Sequence, residues 1–432
     1  MIWNEPKESM DREVMRKMQG ERLHSIVTKV YHNVPFYRTK MQELGVEPGD
    51  INTIDDIVKL PFTTKQDLRD NYPFGLSPIP KSEYVRIHAS SGTTGKPTAV
   101  PHTRKDLDTF AECVCRAICC SGGTKDDVVQ IAYGYGLFTG GLGLHDGATR
   151  LGAAVIPISG GNTRNQLTML EDFGSTILAC TPSYALFISE AVKDAGIDPK
   201  TLPLRIGIFG AEPWTQEMRE KIEEGLDIKA YDIYGLSEIM GPGVGSSCNA
   251  NNGLHIAEDY FYPEIINPDT LDQIDAGETG ELVFTHLTKE AMPLIRYRTR
   301  DLSSLEYEPC SCGRTNVRMN KVKGRSDDML IIRGVNVFPS QVESVLLEIK
   351  EVEPHYMILV DRKGTLDTIE IQVEIKDDYF SDEITEMNAL TKKVKQKLDA
   401  ALRIGTIVTL VAHKTIERSQ GKAKRVIDKR NI

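Results

Sequence analysis

The sequence predicts an α/β protein with a large N-terminal domain and a smaller α+β C-terminal domain. Its 432 residues are too many for one compact core. Between about residues 84 and 265, short apolar runs alternate with helical stretches, and glycine follows several of the runs, which is the pattern of an α/β sheet. A polar break at residues 324–334 precedes a second set of helix and strand patterns, which predicts the separate C-terminal domain.

The N-terminal domain begins with helical patterns. Residues 11–31 are amphipathic at the helical period, and Thr63 and Thr64 have side chains typical of a helix start. The later apolar runs predict the strands of the sheet, and these runs are VVQIAYG, AAVIPIS, STILAC, LRIGIFG and IKAYDIYG. Residues 281–285 and the segment LIRYRTRDLSSLEY predict a smaller antiparallel β region.

The C-terminal pattern predicts a compact α+β unit. A capping box from Ser340 to Glu343 predicts a helix over 341–349. Strands follow at 355–360 and 368–375, then a long helix at 383–402 and a last strand at 407–412. With a boundary near residue 326, the predicted domains are 1–326 and 327–432.

Composition and charge exclude several classes of function. With 52 Lys and Arg against 62 Asp and Glu, the net charge of −10 argues against nucleic acid as a partner. No apolar run approaches the ~20 residues of a membrane span, and the N-terminus lacks the apolar region of a signal peptide, so we expect a cytoplasmic protein with no membrane partner. The eight cysteines are then expected to be reduced.

The segment HASSGTTGKPT, residues 88–98, consists mostly of small, hydroxylated and glycine residues. Such a loop lets backbone N–H groups approach phosphate oxygens closely. It is not a P-loop, because Ser90 stands where the first glycine would be and Pro97 stands where a magnesium-binding Ser or Thr would be. Pro97 also disfavours helical geometry at Lys96, so the segment predicts strand, loop and strand.

Four further motifs follow this loop along the chain: YGLSE at 234–238, YRTRD at 297–301, GRSD at 324–327 and SQGK at 419–422. Together they resemble the signatures of the adenylate-forming acyl-CoA synthetase superfamily, over residues 11–429. The surrounding segments, among them FGAEPW and GRSDDMLIIRGVNVFPSQ, are similar to its phenylacetate-coenzyme A ligase branch. The resemblance implies AMP-forming ligation of phenylacetate, or a close arylacetic acid, to coenzyme A through an acyl-adenylate, with release of AMP and pyrophosphate.

The resemblance also implies a site for ATP and Mg²⁺. The residues expected to bind the phosphates are Ser90, Ser91, Gly92, Thr93, Thr94, Gly95 and Lys96. Thr93 is also expected to be catalytic. Glu238 is the expected catalytic magnesium ligand, because a hard cation that bridges phosphates prefers a carboxylate. Around adenine and ribose we expect Gly210, Ala211, Glu212, Tyr234 and Gly235.

Asp301 is expected to accept hydrogen bonds from the ribose hydroxyls, and Arg325 to approach the ribose or a phosphate. Arg300 stands where the superfamily commonly has glycine, and we assign it no role.

The resemblance implies that the C-terminal domain moves between two half-reactions. Lys422, with Lys424 as its rival, is expected to contact the carboxylate and α-phosphate. Asp327, with Asp328 as the alternative, is the expected hinge. Arg333 and Gly334 are expected to face the site in the second conformation and to guide coenzyme A.

Residues 132–141, AYGYGLFTGG, are the predicted aryl-acid slot. Tyr135 and Phe138 offer ring faces, and Gly140 and Gly141 leave space between them. Ala211 and Pro242 complete the expected substrate site. The same segment is also compatible with a glycine-rich turn above a buried helix.

Three loop cysteines and one histidine have the donor types that zinc selects. These residues are Cys248, His255, Cys310 and Cys312. Their spacing is not that of a zinc finger, and reduced loop cysteines beside a surface histidine are the alternative. Cys115 and Cys119 are better explained by a buried helix face.

Two alternatives to a coenzyme A ligase stay open at this point. One is an adenylating enzyme that passes the acyl group to a carrier protein, and the other is a zinc-dependent interaction protein on an inactive adenylating fold. For the ligase, the partners are the aryl acid, ATP and coenzyme A, and the family suggests a homodimer.

Overall fold

The computed structural model describes residues 1–90, 97–327, 329–333, 335–363, 366–380, 384–418 and 425–430. Its α-helices are α1 (Glu5–Glu8), α2 (Arg12–Asn33), α3 (Pro35–Glu43), α4 (Lys65–Asp70), α5 (Arg104–Cys120), α6 (Thr139–Leu151), α7 (Thr163–Asp172), α8 (Pro182–Asp194), α9 (Gln216–Leu226), α10 (Pro339–Leu347) and α11 (Ile384–Leu402).

The first strands are β1 (Arg86–Ser90), β2 (Thr98–His102), β3 (Val128–Ile131), β4 (Ala154–Ile156), β5 (Ile177–Cys180), β6 (Ile206–Gly210), β7 (Lys229–Tyr234), β8 (Gly245–Ser247), β9 (Leu254–Ile256) and β10 (Phe261–Ile266). The later strands are β11 (Gly280–His286), β12 (Tyr297–Ser303), β13 (Leu305–Glu306), β14 (Arg318–Met319), β15 (Gly324–Arg325), β16 (Leu330–Ile332), β17 (Val335–Val337), β18 (Val352–Lys363), β19 (Leu366–Ile375), β20 (Ile407–Val411) and β21 (Val426–Asp428).

The chain forms two compact units. The first consists of Met1–Cys180, Lys200–Ala211 and Ile228–Val322, and the second of Thr181–Pro199, Glu212–Asp227 and Lys323–Ile432. Helices α8 and α9 therefore belong to the second unit. The domain bounds at residue 326 stay a prediction.

The central feature of the first unit is a mixed sheet with the strand order β13-β14-β9-β8-β7-β6-β5-β3-β4. Strands β4, β3, β5, β6 and β7 pair in parallel, and the remaining pairs are antiparallel. Every residue of β5 and β6 is buried, which explains why both read as continuous apolar runs rather than as alternating ones. The carboxyl ends of the parallel strands thus meet at one edge of the sheet.

The N-terminal helices form where local signals place them. Asp11 caps α2 by accepting hydrogen bonds from the N–H groups of Glu13 and Val14. Thr64 and Asp67 form a capping box at the start of α4. Helix α5 carries four cysteines, all of them buried, so the expectation of a buried helix face for Cys115 and Cys119 is confirmed.

In the second unit, α10, α11 and the strands β18 to β20 share one apolar core. Strands β18 and β19 are antiparallel and β19 and β20 are parallel, and β21 pairs in parallel with β18. The predicted start of α10 was wrong. The helix begins at Pro339 with Phe338 as N-cap, because proline at the first position already has a helical φ and needs no N–H partner.

The predicted fold class, α/β with a smaller α+β C-terminal part, is confirmed. In the part of the chain that is described, no helix combines the length and the apolar character that crossing a membrane requires.

A buried ion pair in the first unit gives a test of this packing. Arg116 of α5 donates two hydrogen bonds to Asp259, at 2.8 and 3.1 Å, and both side chains are buried. We expect Arg116→Met to lower the free energy of unfolding by about 3–5 kcal/mol, because Asp259 then stays buried without its cation. Urea denaturation measures this change.

Arg16 provides the control, because its ion pair with Asp55 is exposed. Arg16→Met should change the free energy of unfolding by less than about 1 kcal/mol. Equal effects of the two substitutions would contradict the assignment of Arg116 to the core.

Candidate active site

Glu238 lies in the turn that follows β7, where a parallel strand ends. Its side chain is buried, with 4% of the residue exposed. Ser90, the last residue of β1, donates a hydrogen bond from Oγ to Glu238 Oε1 at 3.0 Å, and Lys65 Nζ lies 3.3 Å from the same oxygen. Residues far apart in sequence thus converge on one carboxylate.

The turn around Glu238 depends on two glycines. A Cβ placed on Gly235 would lie 1.6 Å from the carbonyl oxygen of Gly241 and 3.0 Å from the nitrogen of Pro242. Gly241 has a φ of +128°, which favours glycine. The two ends of the turn therefore approach closely only because both positions lack a side chain.

Tyr234 and Asp301 are directly bonded. The Tyr234 hydroxyl donates to Asp301 Oδ2 at 2.6 Å, and the Tyr234 ring lies against Phe284. Asp301 follows Arg300 in β12, and Arg300 has a φ of +69°. That conformation favours glycine and accompanies a register shift between β11 and β12, which explains why glycine suits this position.

Gly210 ends β6 beside β7, and Ala211 follows the strand. A Cβ on Gly210 would lie 2.0 Å from the carbonyl oxygen of Ile233, so the two strands pack here without an intervening side chain. Tyr133 donates a hydrogen bond to the Gly210 carbonyl at 3.2 Å, which joins this edge to the predicted aryl slot. Ala211 has a φ of +73°, so the chain turns sharply at the end of the strand.

The predicted aryl slot, residues 132–141, leads into α6. The Phe138 ring lies 6.4 Å from the Tyr133 ring, and a Cβ on Gly140 would meet Phe138 at 2.5 Å. Tyr135 packs edge-on against His145, and burial raises the pKa of Tyr135 to about 12. A Cβ on Gly141 would meet the Gly134 backbone at 2.7 Å, so these glycines allow the aromatic rings and the backbone to pack closely.

Other predicted site residues lie in the second unit. Glu212 Oε1 accepts a hydrogen bond from the N–H of Ser183 at 2.7 Å. Arg325 donates to both carboxylate oxygens of Asp327, the predicted hinge. Arg333 has a φ of +52° between β16 and β17 and donates to the Gly405 carbonyl.

Several predicted residues lie outside the described residues, and their roles stay predictions. They are Ser91, Gly92, Thr93, Thr94, Gly95, Lys96, Gly334 and Lys422, together with the alternatives Asp328 and Lys424. The strands on either side of residues 91–96, β1 and β2, pair antiparallel, which confirms the two predicted strands.

Sequence reasoning missed Lys65, and it missed a buried lysine and a buried histidine next to Glu238. Lys289 and His286 both donate to the carbonyl of Ile239, the residue after Glu238. His286 Nδ1 accepts a bond from the Leu294 N–H, so Nε2 carries the proton. Burial lowers the pKa of His286 to about 3 and of Lys289 to about 8. No local pattern marks these residues, because their bonds to Ile239 span 47 and 50 positions.

The three loop cysteines and the histidine come together in the first unit. The ligand atoms of Cys248, His255, Cys310 and Cys312 all lie within 4.8 Å of one another. Cys248 Sγ lies 3.7 Å from Cys310 Sγ, and Cys312 Sγ lies 3.4 Å from His255 Nε2. Hydrogen bonds from Cys120 and His255 lower the pKa of Cys248, so the thiolate, the metal-binding form, is favoured.

The local structure explains this convergence. Cys248 directly follows β8, and His255 is in β9, which pairs with β8. Cys310 accepts a backbone hydrogen bond from Gly313, whose φ is +91°, so a tight turn carries Cys310 and Cys312. Arg314 contacts Cys312 Sγ at 3.6 Å and donates to Glu8 at 2.6 Å, which links the cluster to the N-terminal segment.

Comparisons with known proteins show the family to which the chain is related. A family model described as AMP-binding enzyme matches residues 20–287, and one described as AMP-binding enzyme C-terminal domain matches residues 334–430. The chain is 49% identical to the phenylacetate-coenzyme A ligase of Thermus thermophilus, with all of both chains covered. It is 48% identical to the enzyme of that name from Escherichia coli, over 99% of this chain and 98% of the relative.

Solved structures of 2-hydroxyisobutyryl-CoA ligase have the same fold. The structure in the postadenylation state with 2-HIB-AMP has a TM-score of 0.92 and 27% identity, and covers 98% of this chain and 92% of its own. The structure with 2-HIB-AMP and CoA has a TM-score of 0.73 and 28% identity, and covers 98% and 91%.

The close approach at Gly235 gives a test of the turn geometry. We expect Gly235→Ala to lower the free energy of unfolding by about 3 kcal/mol, because the new methyl group would overlap the Gly241 carbonyl and force the backbone apart. Urea denaturation checks the value. Gly49→Ala is the control, because no atom lies within 4 Å of a Cβ there. It should stay within about 0.5 kcal/mol of the unsubstituted chain.

Proposed function

This chain belongs to the AMP-binding enzyme family, and on that basis we propose that it ligates phenylacetate, or a close arylacetic acid, to coenzyme A through an acyl-adenylate. The observation that carries the proposal is the identity of about one half, over the full length, to phenylacetate-coenzyme A ligases of different bacteria. ATP, AMP and coenzyme A follow from membership of this family of adenylate-forming ligases.

The proposed reaction has two steps. First, the carboxylate of the acid attacks the α-phosphorus of ATP, and pyrophosphate leaves. Next, the thiol of coenzyme A attacks the acyl carbonyl, and AMP leaves with the bonding electron pair of the cleaved C–O bond. Because the first step brings two anions together, the protein must neutralise charge and align the reactants.

We assign the nucleotide to the edge where β6 and β7 end. Tyr234 would stack on adenine while its hydroxyl orients the Asp301 carboxylate toward the ribose. Gly210, Ala211 and Gly235 would line the base, where their lack of bulky side chains leaves room. Glu212 and Arg325 stay predicted contacts to the same nucleotide.

Glu238 fits a magnesium ligand. The carboxylate is buried and forms an ion pair with Lys65. It also accepts a hydrogen bond from Ser90, which lies at the base of the predicted phosphate loop. Magnesium is commonly held in proteins by one or two carboxylates plus phosphate oxygens. When bound, the ion would offset the charge of the triphosphate. Ser90 would hold Glu238 in place, and residues 91–96 would contact the β- and γ-phosphates.

Substrate choice is proposed to lie in residues 132–141. Tyr135 and Phe138 would face an aromatic ring, and Gly140, Gly141 and Pro242 would complete the slot with Ala211. The close packing of Phe138 against Tyr133 and Gly140 supports a narrow slot for a flat acid.

We propose zinc for the cluster of Cys248, His255, Cys310 and Cys312. In a tetrahedral zinc site, bond lengths of about 2.3 Å to sulfur and about 2.0 Å to nitrogen imply S–S edges of about 3.8 Å and S–N edges of about 3.5 Å. The distances of 3.7 Å between Cys248 and Cys310 and 3.4 Å between Cys312 and His255 fit these edges. A four-ligand site of this kind is structural and leaves no open position for substrate.

Two further expectations belong to this proposal, a homodimer suggested by the family resemblance and a cytoplasmic location expected from the sequence. The homodimer is tested by light scattering of the purified chain at several concentrations. The cytoplasmic location is tested by fractionation of cells that produce the protein.

The proposed activity is tested with a panel of aryl and aliphatic acids, by AMP formation with and without coenzyme A. We expect phenylacetate or a close arylacetic acid to support the fastest coenzyme A-dependent AMP release. Pyrophosphate exchange without coenzyme A-dependent AMP release would favour transfer to another acceptor, such as a carrier protein. Absence of both with every acid would overturn the proposal.

Alanine substitutions of Lys422 and Lys424 form a matched pair of variants that tests which lysine of the C-terminal tail acts in adenylate formation. We expect Lys422→Ala to slow adenylate formation about 100-fold or more, because a single positioned cation typically contributes that factor to the reaction. Its reaction of preformed phenylacetyl-adenylate with coenzyme A should stay near the unsubstituted rate. Lys424→Ala should leave both rates nearly unchanged. Equal losses in both half-reactions for Lys422→Ala would contradict its assigned role.

For zinc, elemental analysis of the purified chain should give about one zinc per chain. Cys310→Ser should lose the metal and lower the melting temperature, because the site joins two loops. Cys113→Ser removes another buried cysteine, outside the cluster, and should keep the metal. A zinc content near zero in the unsubstituted chain would remove the site from the proposal.

A further inference from the structure

Two hydrogen-bonded links connect the predicted aryl slot to Glu238. Both begin in the short segment from Leu137 to Thr139, which contains Phe138. One link runs through β1 to Ser90, and the other runs directly to the residue before Glu238. Neither link was apparent from the sequence, and His88, Leu137, Thr139 and Ser237 have no role in the proposed chemistry.

The first link depends on His88. Its Nδ1 lies 3.1 Å from the carbonyl oxygen of Leu137, and the N–H of Ala89 donates to the same oxygen at 2.9 Å. A carbonyl only accepts, so Nδ1 carries the proton and the neutral ring donates. His88 has no exposed surface. Two residues further along β1, Ser90 donates to Glu238 at 3.0 Å, which completes the link.

The second link is a bond between two hydroxyl groups. Thr139 Oγ1 lies 3.2 Å from Ser237 Oγ, and both residues are buried. Thr139 is the first residue of α6, and Ser237 immediately precedes Glu238. Phe138 therefore lies between the two anchored residues, and its backbone is held from both sides.

The packing behind β1 makes the first link stiff. The His88 ring packs edge-on against His102 of β2, with ring centroids 5.5 Å apart. His102 in turn stacks on Phe110 at 6.1 Å. A Cβ placed on Gly241 would meet Phe110 at 2.5 Å, so this stack extends to the end of the turn that carries Glu238. A shift at Leu137 is thereby opposed by close-packed rings rather than absorbed by a gap.

We propose that His88 and Thr139 are positioning residues that couple the aryl slot to the Glu238 carboxylate, so that the aryl acid and magnesium-bound ATP bind cooperatively. The inference rests on the proposed function, which supplies the two ligands. An acid that seats against Phe138 orders Leu137 and Thr139, and the two links then order Ser90 and Glu238 for the metal–nucleotide complex. By linkage, each ligand tightens the binding of the other by the same factor.

The test compares His88→Leu with His88→Asn. The asparagine Nδ2 occupies nearly the place of the histidine Nδ1 and keeps the donor to Leu137, whereas leucine removes it. Isothermal titration gives the phenylacetate Kd with and without Mg²⁺ and α,β-methylene-ATP, which cannot release pyrophosphate. In the unsubstituted chain we expect the nucleotide to tighten phenylacetate binding by about fivefold or more. This factor should approach one in His88→Leu and be retained in His88→Asn.

Thr139 provides an independent second test, which also serves if His88→Leu fails to fold. Thr139→Val removes the hydroxyl and should reduce the factor, whereas Thr139→Ser should retain it. His24→Leu is the control for loss of an imidazole–carbonyl bond, because His24 Nδ1 contacts the Ile51 carbonyl at 2.8 Å in α2, outside both links. This control should keep the full factor.

An unchanged factor in both His88→Leu and Thr139→Val would overturn the inference, and so would a factor of one in the unsubstituted chain. Failure of the proposed function is recognised separately, by the absence of coenzyme A-dependent AMP formation with phenylacetate in the unsubstituted chain. AMP formation without cooperative binding would leave the function standing and refute the coupling.

Discussion

The burial of the Glu238 carboxylate is the constraint on which the candidate site depends. A charge removed from water is costly unless nearby groups compensate for it, and here Ser90 and Lys65, both far earlier in the chain, do so. The first unit must therefore bring β1, α4 and the end of β7 to one point. The absence of a side chain at Gly235 allows the close contact with Gly241 that joins the two ends of the turn carrying the carboxylate.

The surroundings of this carboxylate show how the unit accommodates further buried polar groups. His286 and Lys289 donate to one carbonyl, that of Ile239, so the backbone next to Glu238 is held by two donors. The Tyr234 hydroxyl donates a hydrogen bond to the Asp301 carboxylate, and this bond joins two sheets of the same unit. The site is thus built from donors and acceptors that are paired before any ligand binds, which limits the reorganisation that binding requires.

The cysteine and histidine cluster plays a comparable part further along the chain. It joins the hairpin of β8 and β9 to the turn at Cys310 and Cys312, and Arg314 extends the connection to Glu8. Strand β8 pairs with β7, whose end leads to Glu238. The cluster therefore supports the sheet edge on which the nucleotide is proposed to lie.

The sequence by itself determined the α/β class, the two strands that flank residues 91–96 and the donor types of the cysteine and histidine cluster, because these follow from local period, proline chemistry and residue identity. It misjudged the start of α10, where Pro339 was a stronger local signal than Ser340. Only the tertiary structure decided that Lys65, His88, Thr139 and Lys289 surround the same site. Their contacts join residues tens to more than a hundred positions apart, and such pairs meet only when the chain closes around a common core.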